Sequence, residues 1–90
     1  MLIAISVMSG EKVVFHTTED FSKKEYEKTL KTKSLTEKRL NFIIETLKIA
    51  HKDFDLSMIT NIMVSDINGE DKMYSCEKTL KDLRDMIEPS

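Results

Sequence analysis

The chain has 90 residues, of which 14 are basic and 16 acidic, so its net charge at pH 7 is −2. A chain of this length can bury only one small core, which leaves no room for separate cofactor and substrate domains. Two glycines, one proline and 40% apolar residues are typical of a folded protein rather than a disordered one. We therefore expect residues 1–90 to form a single compact domain.

Two strands are predicted at the N-terminus, because apolar and polar or small residues alternate in residues 3–7 and again in residues 12–17. A three-residue loop, Met8-Ser9-Gly10, would place Gly10 where a left-handed backbone is needed. The register that follows puts five apolar side chains on one face of this hairpin: Ile3, Ile5, Val7, Val13 and Phe15.

Two helices are predicted next. Residues 17–20 offer capping side chains and first-turn acids to a helix of about residues 21–31. Ser34 and Glu37 have the spacing of a capping box in front of a longer helix that reaches about His51. The core side of that longer helix repeats with a period of 3.6 residues: Leu40, Ile43, Ile44, Leu47 and His51.

A second hairpin and a last helix complete the chain. Residues 59–66 form a strand pattern, Asn68-Gly69 favours a type I′ turn, and residues 72–75 form the return strand. Ser75 is the predicted cap of a final helix whose core residues are Leu80, Leu83 and Ile87. The order ββααββα predicts an α+β fold, with a four-stranded antiparallel sheet made from two hairpins and three helices mainly on one face.

The sequence favours no enzyme, cofactor or metal site. His16, His51 and Cys76 are too few and too widely spaced for a metal-ligand set. The two glycines are too far apart for a phosphate loop or a nucleophile elbow, and no orienting group for a Cys76–His16 pair is identifiable. A single cysteine favours a reducing, cytoplasmic setting, and no segment has the ~20 apolar residues of a membrane span.

The longer helix has a second apolar side. At 100° per residue, Leu35, Phe42 and Ile49 cluster opposite the core residues. Either the first helix covers them, or they contact a second protein chain, which includes a homodimer. Six residues are methionines, and their flexible thioethers suit adaptable contact surfaces as well as cores. The predicted partner-binding residues are Leu35, Phe42, Ile49, Met63 and Met73.

We thus expect a small non-catalytic protein that binds and modulates another protein. Twelve of the 14 basic residues are lysines, and usage this rich in Lys and Ile fits an AT-rich coding genome. Small motif-free domains from such genomes include many phage or mobile-element inhibitors of host machinery, and by this analogy inhibition is one form that the modulation would take. The alternative is a weak, sequence-nonspecific nucleic-acid-binding regulator. Residues 22–40 contain seven basic and three acidic residues, and Lys24, Lys28 and Lys31 lie on one side of a helix, as phosphate binding requires. A merely solvated helix surface explains the same pattern.

Overall fold

The predicted element order is confirmed in a computed structural model that describes residues 1–69 and 72–87. The strands are β1 (Leu2–Ser9), β2 (Lys12–Asp20), β3 (Asn61–Asp66) and β4 (Met73–Ser75). The helices are α1 (Lys23–Thr32), α2 (Glu37–Ala50) and α3 (Glu77–Ile87), with a short 3₁₀-helix at Leu56–Met58. The strands form one antiparallel sheet in the order β2-β1-β3-β4. The fold is therefore α+β, as predicted.

The core lies between the helices and one face of the sheet. Alternate residues of β1 and β3 point into it, and the helices contribute their apolar sides, because a half-buried strand and an amphipathic helix each have one apolar face. Its buried members include Ile3, Ile5, Val7, Ile62, Val64, Phe21, Tyr26, Ile43, Leu47 and Leu83. No helix in the described part of the chain is long and apolar enough to cross a membrane.

The first hairpin differs from its predicted register. Ser9 pairs with Lys12, so the loop has two residues rather than three, and Gly10 has a φ of 63° at its first position. The register shifts between the Val7–Phe15 and Met8–Val13 pairs, which leaves an extra residue in β2, as in a β-bulge. The bulge turns Val13 away from the core face, and the prediction that Val13 is a core residue is wrong.

The cap of α2 also differs from the prediction. Thr36, not Ser34, is the N-cap, and its hydroxyl accepts a hydrogen bond from the Arg39 N–H at 3.3 Å. Ser34 instead donates its hydroxyl to the carbonyl of Leu35. The helix consequently begins later than expected, and it ends at Ala50 with an exposed His51 outside the core.

The other two helices also begin differently from the prediction, and the N–H groups of Lys78 and Thr79 in α3 donate to the carbonyl of Lys33. Ser22 caps α1 by accepting a hydrogen bond from the Glu25 N–H, because residues 17–20 belong to β2 instead. The hydroxyl of Ser75 donates to the side chain of Asn61 at 2.7 Å, so the predicted capping of α3 by Ser75 is wrong. Gly69 has no positive φ, which excludes the predicted type I′ turn; residues 70–71 of that connection lie outside the described residues.

Candidate functional site

The face of the sheet that points away from the helices is open. Within the described residues, none of its side chains belongs to the core cluster. The residues that share this face follow from the strand register. We call it the open face, and it comprises Leu2, Ala4, Ser6, Met8, Val13, His16, Thr18, Asp20, Asn61, Met63, Ser65, Met73 and Ser75.

The middle of the open face is low because β1 contributes small side chains there. Ala4 lies across from Ser65, and Ser6 lies between His16 on β2 and Met63 on β3. Ala4 and Ser6 are buried although no described helix covers them, because the longer side chains on neighbouring strands shield them. The open face is therefore a low strip bordered by taller side chains.

The open face is almost uncharged, and it mixes apolar side chains with small polar ones. Met73 is 49% exposed, and Leu2 and Val13 are exposed to a similar degree. The face carries no lysine or arginine, and its one carboxylate, Asp20, lies at a corner, whereas a third of the whole chain is charged. Such a surface offers nothing to neutralise phosphate groups, but its exposed apolar residues fit an uncharged protein surface. The structure thus places Met63 and Met73 together on it.

Leu35 belongs to the core and not to the predicted contact surface. It is only 5% exposed, and its N–H donates to the hydroxyl of Thr79 on α3 at 2.7 Å. It precedes the N-cap of α2, so Leu35 and Leu40 occupy the two positions of a hydrophobic staple. The predicted contact surface on this helix is corrected accordingly to Phe42 and Ile49.

Phe42 and Ile49 remain exposed, at 47% and 83% respectively. The interpretation in which the first helix covers them is therefore wrong. Phe42 borders an open groove of about 540 Å³ between α2 and the end of β2. The groove is lined by Glu19, Glu25, Thr36, Lys38, Arg39 and Phe42.

Arg39 ties three elements together beside that groove. Its Nε and Nη2 donate to the two carboxylate oxygens of Glu25 at 2.8 and 3.0 Å, and Nη2 also donates to the carbonyl of Asp20. The guanidinium carbon lies 3.8 Å from the centre of the Phe21 ring. The hydrogen bond from Arg39 lowers the pKa of Glu25. The guanidinium of Arg39 and the carboxylate of Glu25 are hydrogen-bonded to each other, so we interpret this pair as stabilising the fold and not as a ligand-binding site.

The predicted lysine side of α1 is present and solvent-exposed. Lys24, Lys28 and Lys31 are all exposed, and they recur at helical spacing on one side of the helix. Among the described residues, none of the three forms an ion pair. Glu27, which is also exposed, lies beside Lys28 in sequence and reduces the positive potential of this surface.

Cys76 and His16 lie on opposite sides of the sheet. Cys76 is buried in the core, and this burial raises the pKa of its thiol to about 11, so the thiol is protonated at neutral pH. His16 is exposed on the open face. The structure therefore does not bring the two together. Nor do the described residues include a cluster of three or more His, Cys, Asp or Glu side chains that could hold a metal ion.

Sequence reasoning missed two features of these surfaces. The Arg39–Glu25 pair joins residues 14 positions apart, a separation that no local pattern detects. The low centre of the open face combines Ala4 and Ser6 with the register of the neighbouring strands, and the order of the strands does not follow from a local pattern.

Comparisons with known proteins assign no family to this chain. No protein-family model matches it, and neither the curated proteins nor the solved structures give a significant match. A function for the chain must therefore follow from its own residues and geometry.

Proposed function

We propose that the protein is a non-catalytic binding module that holds another protein on its open face and thereby modulates it. The observation that carries this proposal is the nearly uncharged character of the open face, on which Leu2, Val13 and Met73 are exposed, in a chain that is otherwise rich in charge. Contiguous exposed apolar surface is a usual mark of a protein–protein contact site. Met63 and Met73 are the contact residues that the proposal shares with the sequence prediction.

The shape of the open face indicates how a partner would bind. The low strip at Ala4 and Ser6 allows close approach of a partner's side chains, as between packed sheets about 10 Å apart. Met8, Met63 and Met73 border it, and flexible thioethers can adapt to the surface they meet. A partner whose own interface is covered in this way is inhibited, so binding alone is sufficient for the inhibition that the sequence analogy indicates.

The size of the open face sets the strength of this binding. Four strands spaced about 4.8 Å apart, with an average of about six residues, cover a flat area of roughly 400 Å². Stable interfaces bury about 800 Å² on each partner. The open face alone is only about half that area, so its affinity has to come from a few central contacts.

The cytoplasm is the compartment that we propose for this binding. Cys76 is a free, buried cysteine, and free thiols persist in reducing compartments. The localisation can be checked by fractionation of cells that express the tagged chain.

Affinity capture with matched variants tests the proposed function. Met73→Glu places a charge on the open face, and we expect it to lower capture of the partner by at least about tenfold, because the carboxylate would be buried without a counter-charge. Met58→Glu is the control, since Met58 is 57% exposed on the 3₁₀-helix, away from the open face. Circular dichroism checks that both variants are folded. Equal recovery of the same proteins by both variants and the wild type would contradict the proposal.

Nucleic-acid binding through α1 is the second candidate. It is favoured by the exposure of Lys24, Lys28 and Lys31 and by the absence of ion pairs to them within the described residues. Such binding should be weak, indifferent to sequence and steeply salt-dependent, because lysine contacts phosphate charge.

Gel shifts at low salt test this candidate. Changing all three lysines to glutamate should abolish any binding, whereas Lys48→Glu, on the exposed part of α2, should leave most of it. Binding that survives the triple change would remove α1 as the nucleic-acid surface.

A further inference from the structure

The outer edge of β2 is unpaired along the chain that the structure describes. β2 has nine residues and forms a ladder only with β1, whereas the opposite edge strand, β4, has three. Residues 13–18 include no proline and no charged side chain, although these are the usual means by which edge strands avoid pairing. β2 is therefore the strand edge that is most available for a partner.

The hydrogen bonds at the end of this ladder show which backbone groups point outward. Met1 and Phe21 exchange two backbone hydrogen bonds, each of 2.8 Å. In an antiparallel ladder such pairs alternate with pairs that have no mutual hydrogen bonds. The register of β1 and β2 places His16 and Thr18 in pairs without mutual hydrogen bonds. Their N–H and C=O groups consequently point away from β1.

The available segment is bounded on both sides. The carbonyl of Asp20 already accepts a hydrogen bond from Arg39, and the bulge at Val14 interrupts the regular ladder. Residues 15–19 remain as a regular strand with free outward groups. This is enough for a short antiparallel pairing.

We propose that this edge binds a second copy of the chain, with the two β2 strands antiparallel about a two-fold axis at Thr17. In this register His16 of each copy pairs with Thr18 of the other, and each of these pairs exchanges both backbone hydrogen bonds. Thr17 faces its own counterpart, and directly opposed threonines form a favourable cross-strand pair.

Charge along β2 favours a second copy over an unrelated strand. Lys12 lies at one end of the strand, and Glu19 and Asp20 lie at the other. A two-fold antiparallel pairing brings the basic end of each strand towards the acidic end of the other. Opposite charges across paired strands are favourable, and like charges are not.

The exposed apolar residues of α2 provide the second argument. Phe42 lines the same groove as Glu19 of β2, so it lies close to this edge. Ile49 follows two helical turns farther along the same side of α2. A second copy joined at β2 brings an identical helix beside the first, which would cover Phe42 and Ile49 in an isologous contact. An unrelated strand would leave both residues exposed.

Disulfide cross-linking tests this arrangement. Opposed residues of a pair without mutual hydrogen bonds have Cα atoms about 4.5 Å apart, within the range of a disulfide. Thr17→Cys should therefore give a covalent dimer under mild oxidation. Thr18→Cys is the control, because its two Cα atoms would be about 8 Å apart, too far for a disulfide. We expect the Thr17→Cys dimer to form at least about tenfold faster; the native thiol of Cys76 is buried.

Light scattering after size exclusion completes the test. The wild type should be dimeric across a concentration series, and Phe42→Asp should be monomeric and folded. A wild type that is monomeric at the highest concentration, or a Thr18→Cys dimer that forms as fast as the Thr17→Cys dimer, would overturn the proposal. The inference does not depend on the proposed function, because Met73 on β4 and Thr17 on β2 lie on opposite edge strands.

Discussion

Replacing Leu47 by alanine should lower the free energy of unfolding by about 2–5 kcal/mol. Leu47 is 0% exposed and belongs to the core cluster, so the substitution removes buried methyl groups and leaves a cavity. A domain of this size has a total stability of only about 5–15 kcal/mol. The variant should therefore lose a large fraction of the stability of the domain, which urea denaturation followed by circular dichroism would measure.

Ile49→Ala is the matched control on the same helix. Ile49 is largely exposed, and alanine has a better helix propensity than isoleucine, so we expect a change of less than about 0.5 kcal/mol. Measurement at low protein concentration keeps association from contributing. Equal losses of unfolding free energy for Leu47→Ala and Ile49→Ala would contradict the burial of one side of α2 and the exposure of the other.

Arg39→Ala should lower the free energy of unfolding by about 1–3 kcal/mol at neutral pH. The guanidinium holds the Glu25 carboxylate with two hydrogen bonds and contacts the Phe21 ring, so the variant leaves a half-buried carboxylate without its partner. Since Arg39 lowers the pKa of Glu25 in the folded state, this stabilisation is fully present above the ordinary pKa of a glutamate. This stabilisation is lost as the pH falls through the lowered pKa that Glu25 has in the folded state.

The pH dependence of the unfolding free energy distinguishes the loss of the Arg39–Glu25 ion pair from a general destabilisation of α2. The stability difference between the wild type and Arg39→Ala should narrow as the pH falls below about 4. Lys38→Ala, at an exposed neighbouring position, should show little difference at any pH. A gap between the wild type and Arg39→Ala that stays constant from neutral pH to acid would mean that the Glu25 pair does not contribute.

The arrangement of elements could be predicted from hydrophobic periodicity because burial dominates it. The alternation of Ile3, Ile5 and Val7 and the helical spacing of Ile43 and Leu47 each specify one core face, and both faces lie in the observed core. These patterns are local in sequence, and each tolerates an error of a residue or two at its ends.

Caps and turns could not be predicted as reliably because neighbouring residues offer nearly equal alternatives. Ser34 and Thr36 are both good N-cap residues, and contacts distant in sequence decide between them. The N–H of Leu35 is bound to Thr79, and Arg39 is bound to Glu25. The bulge at Val14 likewise has no local signal, and it moves Val13 to the other face of the sheet.

Only some of the candidate contact residues could be predicted, because contacts between residues distant in sequence decide which side chains are exposed. Helical spacing groups Leu35 with Phe42 and Ile49, but Leu35 precedes the helix, where that spacing no longer applies. Met63 and Met73 were selected because they are flexible methionines in the second predicted hairpin. Only the register of β3 and β4 shows that both lie on the open face.

Methionine methyl NMR tests most directly whether the open face is the binding surface. The methyl signals would be recorded before and after addition of the protein identified by affinity capture. Binding on the open face should shift or broaden the signals of Met8, Met63 and Met73. Those of Met58 and Met86, which are each 57% exposed elsewhere on the molecule, should stay unchanged. A shift confined to Met58 or Met86, with the three open-face signals unaffected, would contradict the account.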